Sequence, residues 1–129
     1  MAAFKHTALV CSQEENADRF YQQLLGLEKA NPKVLPRSLA KAIFNIDAEL
    51  TIINYTGAGI HFEIFIAQGQ ACNDQKIAHT CIEVDDHRLF LDACRNLDIS
   101  VNQMQKGDKV LLFVRDFDDN LFEVKSLKT

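Results

Sequence analysis

Residues 78–84 read Ala78-His79-Thr80-Cys81-Ile82-Glu83-Val84, and residues 5–10 read Lys5-His6-Thr7-Ala8-Leu9-Val10, with the same histidine, the same threonine and similar apolar spacing. Short runs of this kind, in which apolar residues alternate with polar ones, are typical of β-strands. Each copy also ends on a carboxylate between apolar residues, Phe62-Glu63-Ile64 in the first and Phe122-Glu123-Val124 in the second. The repetition predicts that the chain is one module written twice.

The composition is that of an ordinary globular protein. Its 129 residues are 47% hydrophobic and 25% charged, and the formal net charge is -4. Nucleic-acid binding depends on clustered Lys and Arg, which this acidic sequence lacks. The sequence has neither the apolar run of a signal peptide nor the roughly 18 apolar residues of a membrane helix. We therefore expect a cytoplasmic protein with no nucleic-acid or membrane partner.

The cysteines favour a reducing compartment. None of the four, Cys11, Cys72, Cys81 and Cys94, belongs to a CxxC pair, and all lie in apolar surroundings. Such residues are usually reduced, partly buried thiols. Cys81 shares a strand face with His79 and could instead be an additional soft metal ligand, although a small packed residue is the more common role.

The first module is expected to begin with a strand from Phe4 to Val10 and to continue with a helix. Ser12 and Glu15 have the spacing of a capping box, in which each side chain bonds the backbone amide of the other. Gly26 supplies the left-handed residue that ends many helices. Between these two signals the apolar residues form one stripe at helical spacing: Ala17, Phe20, Tyr21, Leu24 and Leu25.

The rest of the first module is expected to be extended. Two prolines restrict the backbone of residues 27–39, which we interpret as a loop and an edge strand. Alternation and β-branched residues from Ala42 to Asn54, with a turn near Asp47, predict further strand structure, and Ile60 to Ile66 predict the last strand. The order of the first module is therefore βαβββ.

The second module repeats this order after a polar linker at about residues 68–76. A strand over 77–84 leads to a helix that Asp85 or Asp86 caps. Further extended segments are expected at 99–105, 109–115 and 120–126, with a hairpin turn at 106–108. The sequence thus predicts an α+β fold in a single domain of residues 1–129, with module one at about 1–67 and module two at about 77–129.

Two histidines and two glutamates recur at equivalent module positions, and they form a candidate metal site: His6, Glu63, His79 and Glu123. Strand side chains alternate between faces, so both glutamates project away from their apolar neighbours. One such residue alone is usually a solvated surface position. Because both types recur in both modules, we expect all four to line the side of the sheets away from the helices.

Two imidazoles and two carboxylates suit one divalent ion, either Zn²⁺, Ni²⁺, Co²⁺, Mn²⁺ or Fe²⁺, and ligand type does not choose among these. Substrate contacts have weaker signals. An arginine near the last strand could bind an anionic group, two phenylalanines could give the cleft apolar walls, and another histidine shares the face of Glu63. These weaker candidates are Arg115, Phe113, Phe65 and His61.

Two longer motifs carry a family resemblance. Residues 20–27, Phe20-Tyr21-Gln22-Gln23-Leu24-Leu25-Gly26-Leu27, resemble the F-Y-x-x-x-L-G-L ending of the first helix in the vicinal oxygen chelate superfamily. Residues 116–123, Asp116-Phe117-Asp118-Asp119-Asn120-Leu121-Phe122-Glu123, resemble its D-P-D-G-N-x-x-E turn. This superfamily holds glyoxalase I, methylmalonyl-CoA epimerase, fosfomycin and bleomycin resistance proteins and extradiol dioxygenases. The resemblance covers nearly the whole chain and implies a glyoxalase-like pair of half-barrels and a homodimer.

The resemblance also implies roles for the four candidate ligands. The family's metal ligands fall on His6, Glu63, His79 and Glu123, a set similar to that of bacterial glyoxalase I. It implies a metal-dependent isomerase or lyase that moves a proton next to a carbonyl through a metal-bound enediolate. Glu123 first and Glu63 second would be the catalytic carboxylates that carry this proton. The substrate is a small molecule that the resemblance does not identify.

Departures from the family pattern leave other functions open. Val10 and Ala67 stand where glyoxalase I has the arginine and asparagine that hold glutathione, so glutathione is not implied. Phe117 and Asp119 replace the proline and glycine of the turn, and Asp tolerates positive φ better than most residues. The alternatives are a metal-free binding protein that sequesters a ligand, as bleomycin resistance proteins do, and an iron dioxygenase or thiol transferase. The last two predict that Glu63 is dispensable for metal binding.

Overall fold

The computed structural model describes residues 1–68 and 77–127. The chain divides into two compact units, Met1–Ala71 and Cys72–Thr129, which are described one at a time. The fold is α+β as predicted, with a five-stranded sheet in the first unit and a four-stranded sheet in the second. Residues 69–76, which make up all but the first residue of the predicted linker, lie outside the described part of the chain. The predicted module boundaries within one domain remain a prediction.

The first unit contains the predicted βαβββ framework with one added helix. In its sheet β1 is parallel to β5, β4 is antiparallel to β5, and both β2 and β3 pair with β4. The short strands β2 and β3 therefore share one edge of β4. The bounds are β1 (Thr7–Cys11), α1 (Glu14–Ala17, continued by a π-helical segment Asp18–Leu24), β2 (Glu28–Lys29), β3 (Lys33–Leu35), α2 (Arg37–Phe44), β4 (Leu50–Gly57) and β5 (Ile60–Ile66).

Helix α1 buries the predicted apolar stripe. Phe20 and Tyr21 are fully buried, and the N–H of Leu25 donates to the carbonyl of Phe20, an i→i+5 bond that widens the helix. Gly26 follows at φ +70, as predicted for a left-handed stop. The predicted capping box is wrong. Gln13 is the N-cap and no side chain caps the helix, because the helix begins one residue too late for the Ser12 hydroxyl to reach its first free amides.

Helix α2 occupies part of a segment that was predicted to be extended. Residues 42–44 complete α2 and are not a strand, and Asn45 ends the helix in the left-handed region at φ 58. Ala40 of α2 is buried in one cluster with Phe65 of β5 and Ala67, the residue that follows β5. Phe65 and Glu63 lie on the same side of β5 because they are two residues apart. The expectation that this side is free of helices is therefore wrong for the first unit.

A polar network joins α1 to strands β2 and β4. The Tyr55 hydroxyl donates to Asp18 over 2.7 Å, and the Lys29 ammonium donates to Asp18 over 3.0 Å and to Glu14 over 2.6 Å. Burial, together with the bond to Asp18, raises the pKa of Tyr55. The bond to Glu14 is the main cause that raises the pKa of Lys29. The network fixes the first helix on the sheet without using any candidate ligand.

The second unit follows the predicted order closely. Its sheet runs β6-β9-β8-β7, with β6 parallel to β9. Asp86 is the cap of α3, because its carboxylate accepts the N–H of Arg88 over 2.8 Å. Phe90 and Cys94 of α3 are buried. The bounds are β6 (Thr80–Val84), α3 (His87–Asn96), β7 (Val101–Lys106), β8 (Lys109–Arg115) and β9 (Leu121–Ser126).

The turn between β8 and β9 is held by hydrogen bonds to the Asp116 side chain, and it sets the start of β9. One carboxylate oxygen of Asp116 accepts the N–H groups of Asp118 and Asn120 at 2.9 Å each, and the other accepts the Asn120 amide over 2.8 Å. Asp119 takes φ 66, which confirms that aspartate can replace glycine in this turn. Strand β9 therefore begins at a fixed point and carries Glu123 at its centre.

Candidate metal centre

Each unit brings one histidine beside one glutamate. His6 Nε2 lies 3.7 Å from Glu63 Oε1, and His79 Nε2 lies 3.6 Å from Glu123 Oε1. Both pairs arise from the same strand register: the threonine after each histidine is opposite the phenylalanine before each glutamate on a parallel neighbour. The duplicated sequence therefore builds the same pair twice.

The spacing within each pair is informative. Both separations exceed the 2.7–3.2 Å of a hydrogen bond to oxygen, so neither pair is hydrogen-bonded. Two donor atoms on one tetrahedral ion, each bonded at about 2.1 Å, would be about 3.4 Å apart. The side chains are 25% exposed for Glu63 and 19% for Glu123, which leaves their oxygens within reach of solvent or a small ion. The pairs therefore have the spacing of two ligands of a shared ion.

His79 has the orientation of a metal-binding histidine. Its Nδ1 lies 2.8 Å from the carbonyl oxygen of Ile77. Because a carbonyl only accepts, Nδ1 carries the hydrogen of this bond, and in the neutral imidazole Nε2 is then the nitrogen with the free lone pair, on the side of Glu123. The His79 and Phe113 rings pack edge to face, with centroids 5.8 Å apart and ring planes at 69°.

His6 has different neighbours in the first unit. The His61 ring lies 5.3 Å from the His6 ring, centroid to centroid, and His61 Nε2 is 2.7 Å from Asn54 Oδ1. His61 is thus beside the first pair, in keeping with its predicted strand face. Asn54 was not among the predicted site residues. Its signal is an amide that directly follows the strand-forming residues Leu50-Thr51-Ile52-Ile53 of β4, and Asn54 is opposite Glu63 in register.

Two of the predicted substrate contacts line a cleft of about 570 Å³ in the second unit. Phe113 lines this cleft and also contacts His79, whereas neither His79 nor Glu123 is among the residues that line it. Arg115 lines the cleft while its guanidinium donates to the carbonyl of Asp119 over 2.9 Å. Cavities of this size hold small organic molecules. Phe65 has another environment, because it is only 8% exposed and packs under α2 against Phe44.

Cys81 stands in register with Glu123 on the neighbouring parallel strand. Burial, and then the charge of Glu123, raise the pKa of the Cys81 thiol. A soft metal binds the thiolate form of cysteine, and a raised pKa makes this form less populated. Cys81 is therefore a weaker metal-ligand candidate than the two His–Glu pairs.

The four predicted ligands occur as two pairs, one in each unit. Within residues 1–68 and 77–127, no group of three or more His, Cys, Asp or Glu side chains has the spacing of a metal site. The union of His6, Glu63, His79 and Glu123 around one ion remains a prediction.

Known structures share this fold over nearly their full length. The glyoxalase family protein from Enterococcus faecalis matches with a TM-score of 0.73, covering 95% of each chain at 18% identity. A glyoxylase/bleomycin resistance protein/dioxygenase domain from Frankia sp. EAN1pec matches with a TM-score of 0.73, covering 98% of each chain at 10% identity. The chain has the fold of the vicinal oxygen chelate superfamily. The fosfomycin resistance protein FosX from Listeria monocytogenes, complexed with Mn(II) and sulfate ion, also matches, with a TM-score of 0.70 over 98% of this chain and 93% of that chain at 14% identity.

This fold is the one that the resemblance carried by the two motifs implies. No protein-family model matches the sequence, and comparison with curated proteins finds no match. Structures at identities of 10–18% establish the fold alone, so reaction and ligands must be argued from this chain's residues. Among the described residues, no helix combines the length and apolarity needed to cross a bilayer.

Proposed function

We propose that this chain is a divalent-metal-dependent isomerase or lyase of glyoxalase type, in which His6, Glu63, His79 and Glu123 bind one ion. The repeated His–Glu pair, at 3.7 and 3.6 Å, is the observation that carries the proposal. A sheet needs neither residue type at these positions for packing. The proposal requires the two pairs to meet, either within one chain or between the chains of a homodimer.

The donor set fits such an ion. Two neutral imidazole nitrogens and two carboxylate oxygens suit Zn²⁺, Ni²⁺, Co²⁺, Mn²⁺ or Fe²⁺, and the two glutamates balance its charge. The Ile77 carbonyl already holds His79 in the tautomer that an ion requires. The Mn(II) in FosX supports metal binding by this fold in general.

The chain's own residues supply the proton transfer. When bound, the ion would polarise two neighbouring oxygens of a substrate. Glu123 is our first choice for accepting a proton from the adjacent carbon and returning it, and Glu63 is the second. Glu123 takes precedence because Phe113, its register partner on β8, lines the 570 Å³ cleft. A positioned carboxylate of this kind contributes about 10²- to 10⁴-fold to a rate.

The proposed substrate is a small molecule other than a glutathione adduct. Ala67 and the partly buried Val10, which stand where glyoxalase I contacts glutathione, both pack in the cluster beneath α2. In contrast, Phe113 and Arg115 line an open cleft, where they could contact the apolar and polar parts of a substrate. We also propose that the protein is cytoplasmic and acts as a homodimer.

A second candidate is a reaction of the fosfomycin-resistance kind, which the fold similarity to FosX favours. It differs from the first in one respect that can be measured. The isomerase or lyase needs Glu63 as a metal ligand, whereas the second candidate binds metal through His6, His79 and Glu123 alone. A metal-free binding protein needs none of the four.

Metal titration of protein purified without an affinity tag separates these functions. The variants are Glu63→Gln and His79→Ala, with Glu83→Gln, an exposed change on β6, as the control. We expect wild type and Glu83→Gln to bind one ion per chain and the other two to bind at least about tenfold more weakly. Metal binding that is unchanged in Glu63→Gln but weakened in His79→Ala would favour the second candidate. If wild type binds no metal, the metal-free binding protein is the function that remains. Incorporation of solvent deuterium next to the carbonyl of 2-hydroxy ketones would then test the proton transfer.

A further inference from the structure

The two His–Glu pairs have different polar surroundings although their backbones are equivalent. Glu63 is opposite Asn54 on β4, whereas Glu123 is opposite Phe113 on β8. Two residues before each glutamate the first unit has His61 and the second has Leu121. The first unit therefore carries a polar His61–Asn54 pair where the second carries two apolar side chains.

The two candidate histidine ligands are also held differently. The carbonyl of Ile77 fixes the ring of His79 at 2.8 Å. His6 precedes β1 in an exposed segment, and within residues 1–68 no hydrogen bond orients its ring. Its ring contacts are Glu63, at 3.7 Å, and the ring of His61, tilted by 54° at 5.3 Å. An imidazole at an unpaired strand end has several rotamers, so another contact must select the one that faces Glu63.

His61 is suited to make that selection because it is itself fixed. Its Nε2 pairs with Asn54 Oδ1 over 2.7 Å, and both residues lie within strands of the same sheet. We propose that His61, anchored by Asn54, is a positioning residue that holds the His6 imidazole toward Glu63. It performs for His6 the task that the Ile77 carbonyl performs for His79. The effect on metal affinity rests on the proposed function, whereas the positioning is a property of the metal-free protein.

The experiment compares wild type with two substitutions of His61 and one control. His61→Leu introduces the residue that the second unit has, His61→Phe keeps an aromatic ring, and Thr56→Val changes the exposed register partner of His61. In the metal-free protein, ring-proton NMR should show a nuclear Overhauser effect between His6 and His61. The ring signals of His6 should shift in His61→Leu and return in part in His61→Phe, which keeps the ring but lacks the bond to Asn54. Those of His79 should stay unchanged throughout.

Titration with Zn²⁺ gives the second measurement. We expect His61→Leu to bind about tenfold more weakly than wild type, since groups that orient a ligand contribute about 10- to 100-fold to metal affinity. His61→Phe keeps the ring but loses the bond to Asn54, so it should recover only part of this loss, and Thr56→Val should stay within about twofold of wild type. If wild type binds Zn²⁺, equal affinity in wild type and His61→Leu would overturn the inference.

The two proposals fail in different ways. If wild type shows no Overhauser effect between the two rings, or if His6 signals are the same in wild type and His61→Leu, the positioning role is wrong whatever the metal result. If the ring contact is present and wild type binds no Zn²⁺, the positioning role is supported and the proposed function is wrong.

Discussion

Removal of the Tyr55 hydroxyl tests how the first unit is held together. Tyr55 is fully buried and donates to Asp18 over 2.7 Å. A hydrogen bond to a charged group contributes about 1.5–3 kcal/mol, and Asp18 keeps its bond to Lys29 in the variant. We therefore expect Tyr55→Phe to lower the free energy of unfolding by about 2 kcal/mol. With a urea m-value of about 2 kcal/mol/M, the unfolding midpoint should fall by about 1 M.

The control for this prediction is Glu14→Gln. Glu14 bonds the same lysine, but its side chain is 46% exposed, and exposed ion pairs contribute about 0–1 kcal/mol. Urea unfolding followed by circular dichroism would measure both variants. Equal effects of the two substitutions, or a loss below about 0.5 kcal/mol for Tyr55→Phe, would refute the argument that burial sets the strength of this network.

Two further predictions concern the same unit. Because the folded protein holds the protons of Tyr55 and Lys29 above their ordinary pKa values of 10.0 and 10.5, the free energy of unfolding should be highest below about pH 10 and should decrease as the pH rises above it. Urea midpoints at increasing alkaline pH would show this decrease, and the decrease should be smaller in Tyr55→Phe. An equal decrease in wild type and Tyr55→Phe would contradict the role of the Tyr55 proton. At Gly26, φ is +70 and a Cβ would meet no atom within 4 Å, so Gly26→Ala should cost about 1–2 kcal/mol from backbone strain alone. Gly26→Asn should cost less in the same unfolding assay, because Asn tolerates this region, and an equal or greater cost would exclude the backbone explanation.

The sequence predicted the parts of the fold that local patterns control. Period-two alternation located β5, β6, β8 and β9, a glycine signal located the end of α1, and an aspartate signal located the start of α3. The recurring His–Glu spans agree with the two pairs in the structure, although the parallel pairing of first and last strands that brings each histidine beside a glutamate was not predicted. The aspartate substitution in the β8–β9 turn was likewise read correctly at Asp119.

Helix α2 was missed because its signals conflict with those around it. β-branched residues continue from Ile43 into β4 and imitate one long extended segment. The helical evidence lies in Leu39, Ala40, Ile43 and Phe44, which recur at spacings of three and four, and in Asn45, which stops the helix. Without α2, the burial of Phe65 cannot be foreseen. The sequence therefore predicts a cleft wall at Phe65, which is a core residue in the structure. Asn54 was missed because its role depends on strand register, which single-strand patterns do not encode.

X-ray absorption at the metal edge, on protein loaded with one equivalent of Zn²⁺ per chain, tests the central claim most directly. A site built from His6, Glu63, His79 and Glu123 predicts two imidazole and two oxygen ligands around each ion, with bonds near 2.0–2.1 Å to nitrogen. The His79→Ala variant should retain a single imidazole. A spectrum with one imidazole or none in the wild-type protein would contradict the joining of the two pairs.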